Sequence, residues 1–407
     1  MIRRLLITFC MIGIIYVGYT KIDLSILSNK PIEIIPLEIV EETTESDIFD
    51  AFSDEILEER SESLNIDNYY YYLLNNQEKS LYQDMVEAYF NYNTTIDLSV
   101  YYSDMENDAV QKVHWYVLLD YPEIFWVGTE NKVTYIETED GKSLKELNVT
   151  NYYSEDEIII YEESLSQKFT WINQIVGEAE TDYDKALAIY EYIIWNCTYD
   201  DVYDNELEEA ESATIIGVLL NGEAICSGYA KAYSYLLNLL DIETISVVGY
   251  AEGNGHEWNI IVLDGEFYHV DSTWGDPLLE EYDEDYISYD YFCLTSELIN
   301  RTHTEMEDII YPICTAETYN YYTYNDLYFD YYNYDLFSAK VAELFNSGVS
   351  NMTFRFGSKE EYDIAVTALI EEDLGKIVYS YTDILANECG YRLNEELYLI
   401  SLEFVFK

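Results

Sequence analysis

A cysteine, a histidine and an aspartate far apart in the chain hold the chemistry this sequence offers. Cys226 stands in GEAICSGYAKAY, before an apolar stripe of Tyr229, Ala232, Tyr233, Leu236, Leu237 and Leu240. That spacing predicts a helix with Cys226 at or just before its first turn. Unpaired backbone N–H groups and the helix dipole there favour a thiolate and face a developing oxyanion. A cysteine that attacks also needs a base, and the base needs an orienting group. Of only 4 histidines, two lie in HEWNIIVLDGEFYHVDSTWGDP. Its Asp264-Gly265, between two apolar runs, is a strong signal for a two-residue hairpin turn. Such a turn sets Leu263 opposite Glu266, Trp258 opposite Asp271 and His256 opposite Thr273. Counting by twos, His256, Trp258, Ile260 and Val262 share a face with Phe267, His269, Asp271 and Thr273. His256 and Asp271 become diagonal neighbours. Asp271 is then expected to fix the imidazole tautomer while the other ring nitrogen takes the proton of Cys226. The bland alternative is a core-filling cysteine beside a structural histidine, and the hairpin argues against it. His269 reads as a packing residue deeper on the same face, His114 as part of an earlier helix, and His303, in NRTHTEMEDII, has no position the sequence reveals.

The elements that must position these residues fall into five stretches. Residues 1–21 carry MIRR and then LLITFCMIGIIYVGY, the pattern of a signal anchor or signal peptide. Residues 22–66 are crowded with carboxylates and read as an acidic flexible tether. A small α/β unit is expected over 67–165: a helix through LLNNQEKSLYQDMVEAYFNY, a strand in TIDLSV, a helix over 108–119, and strands in DYPEIFWV and KVTYIE. The catalytic domain is placed at 166–322, opening with helices over 165–179 and in DKALAIYEYIIWNCTYD. The tyrosine-rich stretch and the rest of 323–407 suggest a third α/β piece, with helices over 359–371 and 383–388. The tyrosines read as packing and hydrogen-bonding residues.

Composition excludes several classes. With 80 acidic against 20 basic residues the formal charge is -60, so the chain is not expected to bind nucleic acid or anionic headgroups. Its 6 cysteines, with no C-x-x-C spacing, indicate neither a disulfide framework nor a zinc site. The glycines of GYAEGNGH form no dinucleotide fingerprint. No metal and no cofactor is expected.

The blocks KALAIYEYIIWNCTYD, SATIIGVLLNGEAICSGYAKAYSYLLNLL, VVGYAEGNGHEWNIIVLDGEFYHVDSTWGDP and YDYFCLTSELINRTHTEMEDIIYPICTAETYNYY together resemble a transglutaminase-like protein of the bacterial secreted or membrane-anchored type, in which Cys, His and Asp occur in that order. The resemblance implies an α+β fold with a papain-like or transglutaminase-like core, a helix bearing the cysteine packed on an antiparallel sheet. It implies Cys226 as nucleophile, His256 as general base and acid, and Asp271 as the orienting carboxylate. Trp258, Trp274 and Pro277 match residues around that site, whereas Glu257 stands where the family often has a small residue and Cys197 where an aliphatic one is commoner. The implied activity is cysteine-dependent acyl transfer on protein or peptide amides through a thioester, by a cysteine peptidase, amidase or transamidase. The alternative is a catalytically silent binding or scaffold module of the cell envelope. The expected partner is a protein or peptide substrate, and the expected location is the extracellular face of the membrane, held only by the N-terminal anchor, or outside the cell after secretion.

Overall fold

A computed structural model describes residues 68–406 apart from 101, 139–140, 178, 200–201, 203–205, 277–286 and 382–385. The anchor or signal at 1–21, the whole tether at 22–66 and Pro277 lie outside the described residues. Among the described residues no helix is long and apolar enough to cross a membrane.

The chain opens with α1 (Tyr69–Tyr72), α2 (Asn76–Phe90), β1 (Thr95–Asp97), α3 (Asn107–Asp120), β2 (Val127–Thr138) and β3 (Gly141–Asn151). The three strands form a sheet in the order β1-β3-β2. DYPEIFWV is not the expected strand: α3 runs to Asp120, and pairing begins only at Val127. The Asp120 carboxylate explains this, because it accepts the N–H groups of Tyr70 and Tyr71 and the hydroxyl of Tyr82 at 2.7–3.1 Å. It ties the end of α3 to α1 and α2 before the chain can extend.

Next come α4 (Glu155–Val176), α5 (Asp182–Asn196), β4 (Thr198–Tyr199), α6 (Glu206–Ser212), a π-helical turn (Gly217–Asn221), β5 (Glu223–Ala224) and α7 (Cys226–Asn238). Helix α4 starts ten residues before the expected 165. Ser154 and Glu157 make a reciprocal capping box there, satisfying N–H groups that a helix start otherwise leaves open. Helix α7 begins at Cys226, and its Tyr229, Ala232, Tyr233, Leu236 and Leu237 are buried as the apolar stripe requires.

An antiparallel five-stranded sheet follows, built from β6 (Thr244–Ala251), β7 (Asn254–Leu263), β8 (Glu266–Val270), β9 (Phe292–Leu294) and, after the short α8 (Ser296–Ile299), β10 (His303–Glu305). Its order is β10-β6-β7-β8-β9. Helix α7 is fastened to this sheet by Asn259 of β7, whose Nδ2 donates to the Ala230 carbonyl at 3.0 Å and to Ser234 Oγ at 2.9 Å. A continuous hydrophobic core runs from Tyr70 to Cys314 through both regions. This is an α+β architecture with an antiparallel sheet and several helices.

The remainder comprises α9 (Tyr321–Tyr324), β11 (Tyr328–Phe329), α10 (Tyr334–Asn346), β12 (Asn351–Phe356), α11 (Lys359–Ala368), α12 (Leu374–Tyr381), β13 (Ala386–Asn394) and β14 (Leu399–Phe406). Its sheet order is β11-β12-β14-β13, and it has its own core around Phe337, Phe354 and Phe356. Of the helix expected over 383–388, residues 383–385 lie outside the described residues, and 386–388 belong to β13, which pairs with β14 from Ala386 onward. Cross-strand pairing overrides local helical pattern there.

Candidate active site

The β7–β8 hairpin has the register its turn demands. Asp264 and Gly265 have φ of 52° and 79°, the left-handed conformations a tight hairpin needs at both central positions. Leu263 pairs with Glu266 and Ile260 with His269. Strand β8 ends at Val270, and Asp271 follows with its N–H donated to the Tyr291 carbonyl at 3.0 Å. Asp271 Oδ1 accepts the N–H groups of Thr273 and Trp274 at 2.9 and 3.1 Å. These contacts pin the carboxylate and aim Oδ2 at the sheet.

Two imidazoles meet Oδ2. His256 Nε2 lies 2.7 Å from it and His303 Nε2 3.0 Å. His303 arrives on β10, where it pairs with Ala251 at the end of β6. Gly249 permits this approach, because a Cβ at that position would lie 2.1 Å from the Thr304 carbonyl oxygen. The rings of Trp274, Trp258 and Tyr291 pack around His303 with centroids 4.7, 5.1 and 5.5 Å away.

Burial would raise the Asp271 carboxyl, yet the imidazoles of His256 and His303 hold it well below the usual carboxylate range. Burial would likewise lower His256, but Asp271 foremost, and then Cys226, push its imidazole up to about 10. The cluster therefore carries an imidazolium against a buried carboxylate. His269 is different: desolvation drops it to about 3, and it accepts the Trp258 Nε1–H at 3.1 Å while Nε2 meets Ser296 Oγ at 3.1 Å. It is a neutral packing histidine. His114 is buried in α3, hydrogen-bonded to the Tyr89 hydroxyl at 2.6 Å and to the Gly128 carbonyl at 3.1 Å. Glu257 is buried, and burial raises its carboxyl despite Lys231 and the Ser227 and Ser246 hydroxyls.

The expected Cys226–His256–Asp271 triad is thus corrected. The three-group cluster that closes is His256, Asp271 and His303, with no cysteine among its members. The cause is β10: drawn onto β6 at Gly249, it presents a second imidazole to the one free carboxylate oxygen. Cys226 stands beside the cluster as the first residue of α7, with its thiol in hydrogen-bonding contact with His256. Cysteine-dependent acyl transfer, with the cysteine peptidase or transamidase drawn from it, is not the reading this cluster carries. The membrane-anchored location and the membrane as partner draw no support from the described residues, none of whose helices is long and apolar enough to cross a membrane; the anchor expected at 1–21 lies outside them. The residue the sequence could not place is His303, and Gly249 in VVGYA was its signal, since a glycine inside a strand often marks the close approach of another backbone. No metal was expected either, but the donor atoms of His256, Asp271 and His303 all lie within 4.8 Å of one another. Cys197, Cys226, Cys293, Cys314 and Cys389 are all free.

Comparison with known proteins agrees with the fold of the middle region. Residues 170–272 match the model of the Transglutaminase-like superfamily, which supports that superfamily's fold there. Kyphoscoliosis peptidase of Homo sapiens is 27% identical over 121 residues, and that of Mus musculus 26%. Each match takes in 27% of this chain and 18% of the relative's length. A solved structure of a TGase aligns over 41% of this chain and 50% of its own, at 17% identity and a TM-score of 0.27.

Proposed function

We propose that this chain hydrolyses amide bonds in proteins or peptides at a site made by His256 and Asp271, with Cys226 beside them. Water adds to the amide carbonyl, the imidazolium of His256 gives a proton to the departing amine as the C–N bond breaks, the acid product takes the hydroxyl, the proton that water releases restores the imidazolium, and Asp271 holds the ring in place. The observation that carries this reading is the 2.7 Å bond between His256 Nε2 and Asp271 Oδ2, made by a carboxylate whose other oxygen is pinned by two backbone N–H groups. The similarity to kyphoscoliosis peptidase supports the substrate class. In the finer fold reading, residues 166–322 form a papain-like catalytic domain in which α7, bearing Cys226, packs on the antiparallel sheet, and residues 67–165 and 323–407 are flanking units.

The test is cleavage of a mixed peptide library by the purified chain, read by mass spectrometry. His256→Gln and Asp271→Asn should each slow cleavage by about a hundredfold or more, the usual worth of a positioned proton donor. Cys226→Ser should slow it too, because the thiol contacts the imidazole. Cleavage at full rate in His256→Gln would overturn the reading.

A further inference from the structure

We infer that His256, Asp271 and His303 also form a binding site for a divalent transition cation of the zinc class, and that the bound cation silences the proton transfer assigned to His256. The second half rests on the role proposed for His256; the first stands on geometry alone. Two imidazole Nε2 atoms and one carboxylate oxygen converge within 4.8 Å of one another. Zinc holds nitrogen and oxygen ligands at about 2.0–2.2 Å, so neighbouring ligands on a tetrahedral ion sit roughly 3.3 Å apart. The separations of 2.7 and 3.0 Å at Oδ2 need open by only a fraction of an ångström to admit the ion. Both Nε2 atoms face the same Oδ2, with the ring centroids of His256 and His303 5.3 Å apart.

The groups behind the ligands fit as well. Metal-bound imidazoles and carboxylates are held in orientation by hydrogen bonds on their far atoms. His303 Nδ1 lies 2.8 Å from the Thr302 hydroxyl, which is itself 3.4 Å from the Ile299 carbonyl. When that hydroxyl donates to Ile299, it accepts from Nδ1–H and leaves a lone pair on Nε2. That is the tautomer in which Nε2 can ligate a metal ion. Asp271 Oδ1 has its two backbone donors already. Imidazole with a carboxylate suits zinc, cobalt or nickel, whereas magnesium and calcium prefer oxygen alone. Three protein donors leave a coordination position open. Coordination takes Nε2 of His256 away from Oδ2, so the contact that orients the ring for proton transfer is lost. His303 comes from β10, far along the chain from the β7–β8 hairpin that brings His256 and Asp271 together, which is why no local spacing announces the full set.

The experiment titrates the purified full chain with cobalt(II). A visible absorption band that saturates at one equivalent, is displaced by zinc and is untouched by magnesium is the expected result. His303→Gln keeps an N–H donor for Asp271 but lacks the imidazole, and should weaken cobalt binding at least about tenfold; thermal unfolding checks that it folds, and His256→Gln is the second variant should it not. Absence of a saturable band, or equal affinity in both variants, would overturn the site. Peptide cleavage that falls in step with cobalt occupancy supports the silencing, and undiminished cleavage at full occupancy overturns it. A chain that binds cobalt but cleaves no peptide would sink the proposed activity and leave the metal site standing.

Discussion

At the scale of single residues, Asp271 is the point on which the site depends. Its carboxylate has four polar contacts, two to backbone N–H groups and two to imidazoles. Removing it leaves buried donors with no acceptor and a buried positive charge with no partner. Asp271→Ala should therefore cost about 3 kcal/mol or more of folding stability, measured by urea unfolding. Asp271→Asn keeps a carbonyl acceptor and should cost clearly less. Away from the site, desolvation lowers His114 to about 4. Between the ordinary value near 6.5 and 4, the unfolded chain binds this proton and the folded chain does not. His114 thus makes the protein less stable as pH falls through that window, by about 1.4 kcal/mol per pH unit. The stability difference between wild type and His114→Gln, followed by urea unfolding from pH 7 to 4.5, should shrink with that slope. The nearness of His256 and Asp271 was legible because both hang on one hairpin, whose turn sets the register locally. His303 was not, because its place depends on β10 returning to β6 from the far end of the sheet, and pairing at such distance leaves no period in the sequence.

Among the elements, β10 is the one whose placement decides what the site contains. It is an edge strand of three residues, paired on one side with β6. The absent side chain at Gly249 is what lets it lie close. Gly249→Ala would set a methyl group against the Thr304 carbonyl, and something must shift. The expected cost is about 1–3 kcal/mol, in the range of overpacked positions, together with a changed His303 imidazole resonance in NMR. Local signals read from sequence succeeded where a periodic stripe met a distinct start, as at α7. They failed at DYPEIFWV, where Asp120 serves as a remote cap, and at β13, where the partner strand β14 decides the conformation. The early start of α4 was written in Ser154 and Glu157, a spacing with a known physical meaning that the longer apolar pattern obscured.

For the molecule as a whole, the excess of carboxylates dominates. A formal charge of -60 on 407 residues repels itself most strongly in the folded state, where the charges are closest. Raising sodium chloride from about 0.05 to 0.5 M shortens the screening length severalfold, so the melting temperature should rise, as calorimetry can read. A melting temperature indifferent to salt would mean that the carboxylates are spaced or paired well enough to cancel their repulsion. The region after Tyr321 joins the rest through a small cluster in which Leu397 and Leu399 pack with Tyr291, Leu298 and Ile299. Tyr291 also borders His303. Leu399→Ala should accordingly cost about 2–5 kcal/mol and disturb the site although it touches no catalytic group, an outcome that unfolding and cleavage measured together would reveal. None of this junction was visible beforehand, since it joins residues that no pattern links.

The scarcity of histidine gives the molecule a built-in set of reporters. All 4 are within the described residues, and each occupies a distinct chemical setting: His256 charged and beside a thiol, His303 between a carboxylate and a hydroxyl, His269 neutral behind them, His114 remote in α3. Isotopic labelling of this one amino acid yields a spectrum of four ring systems. Three of them watch the candidate site, and the fourth serves as an internal standard for the rest of the fold.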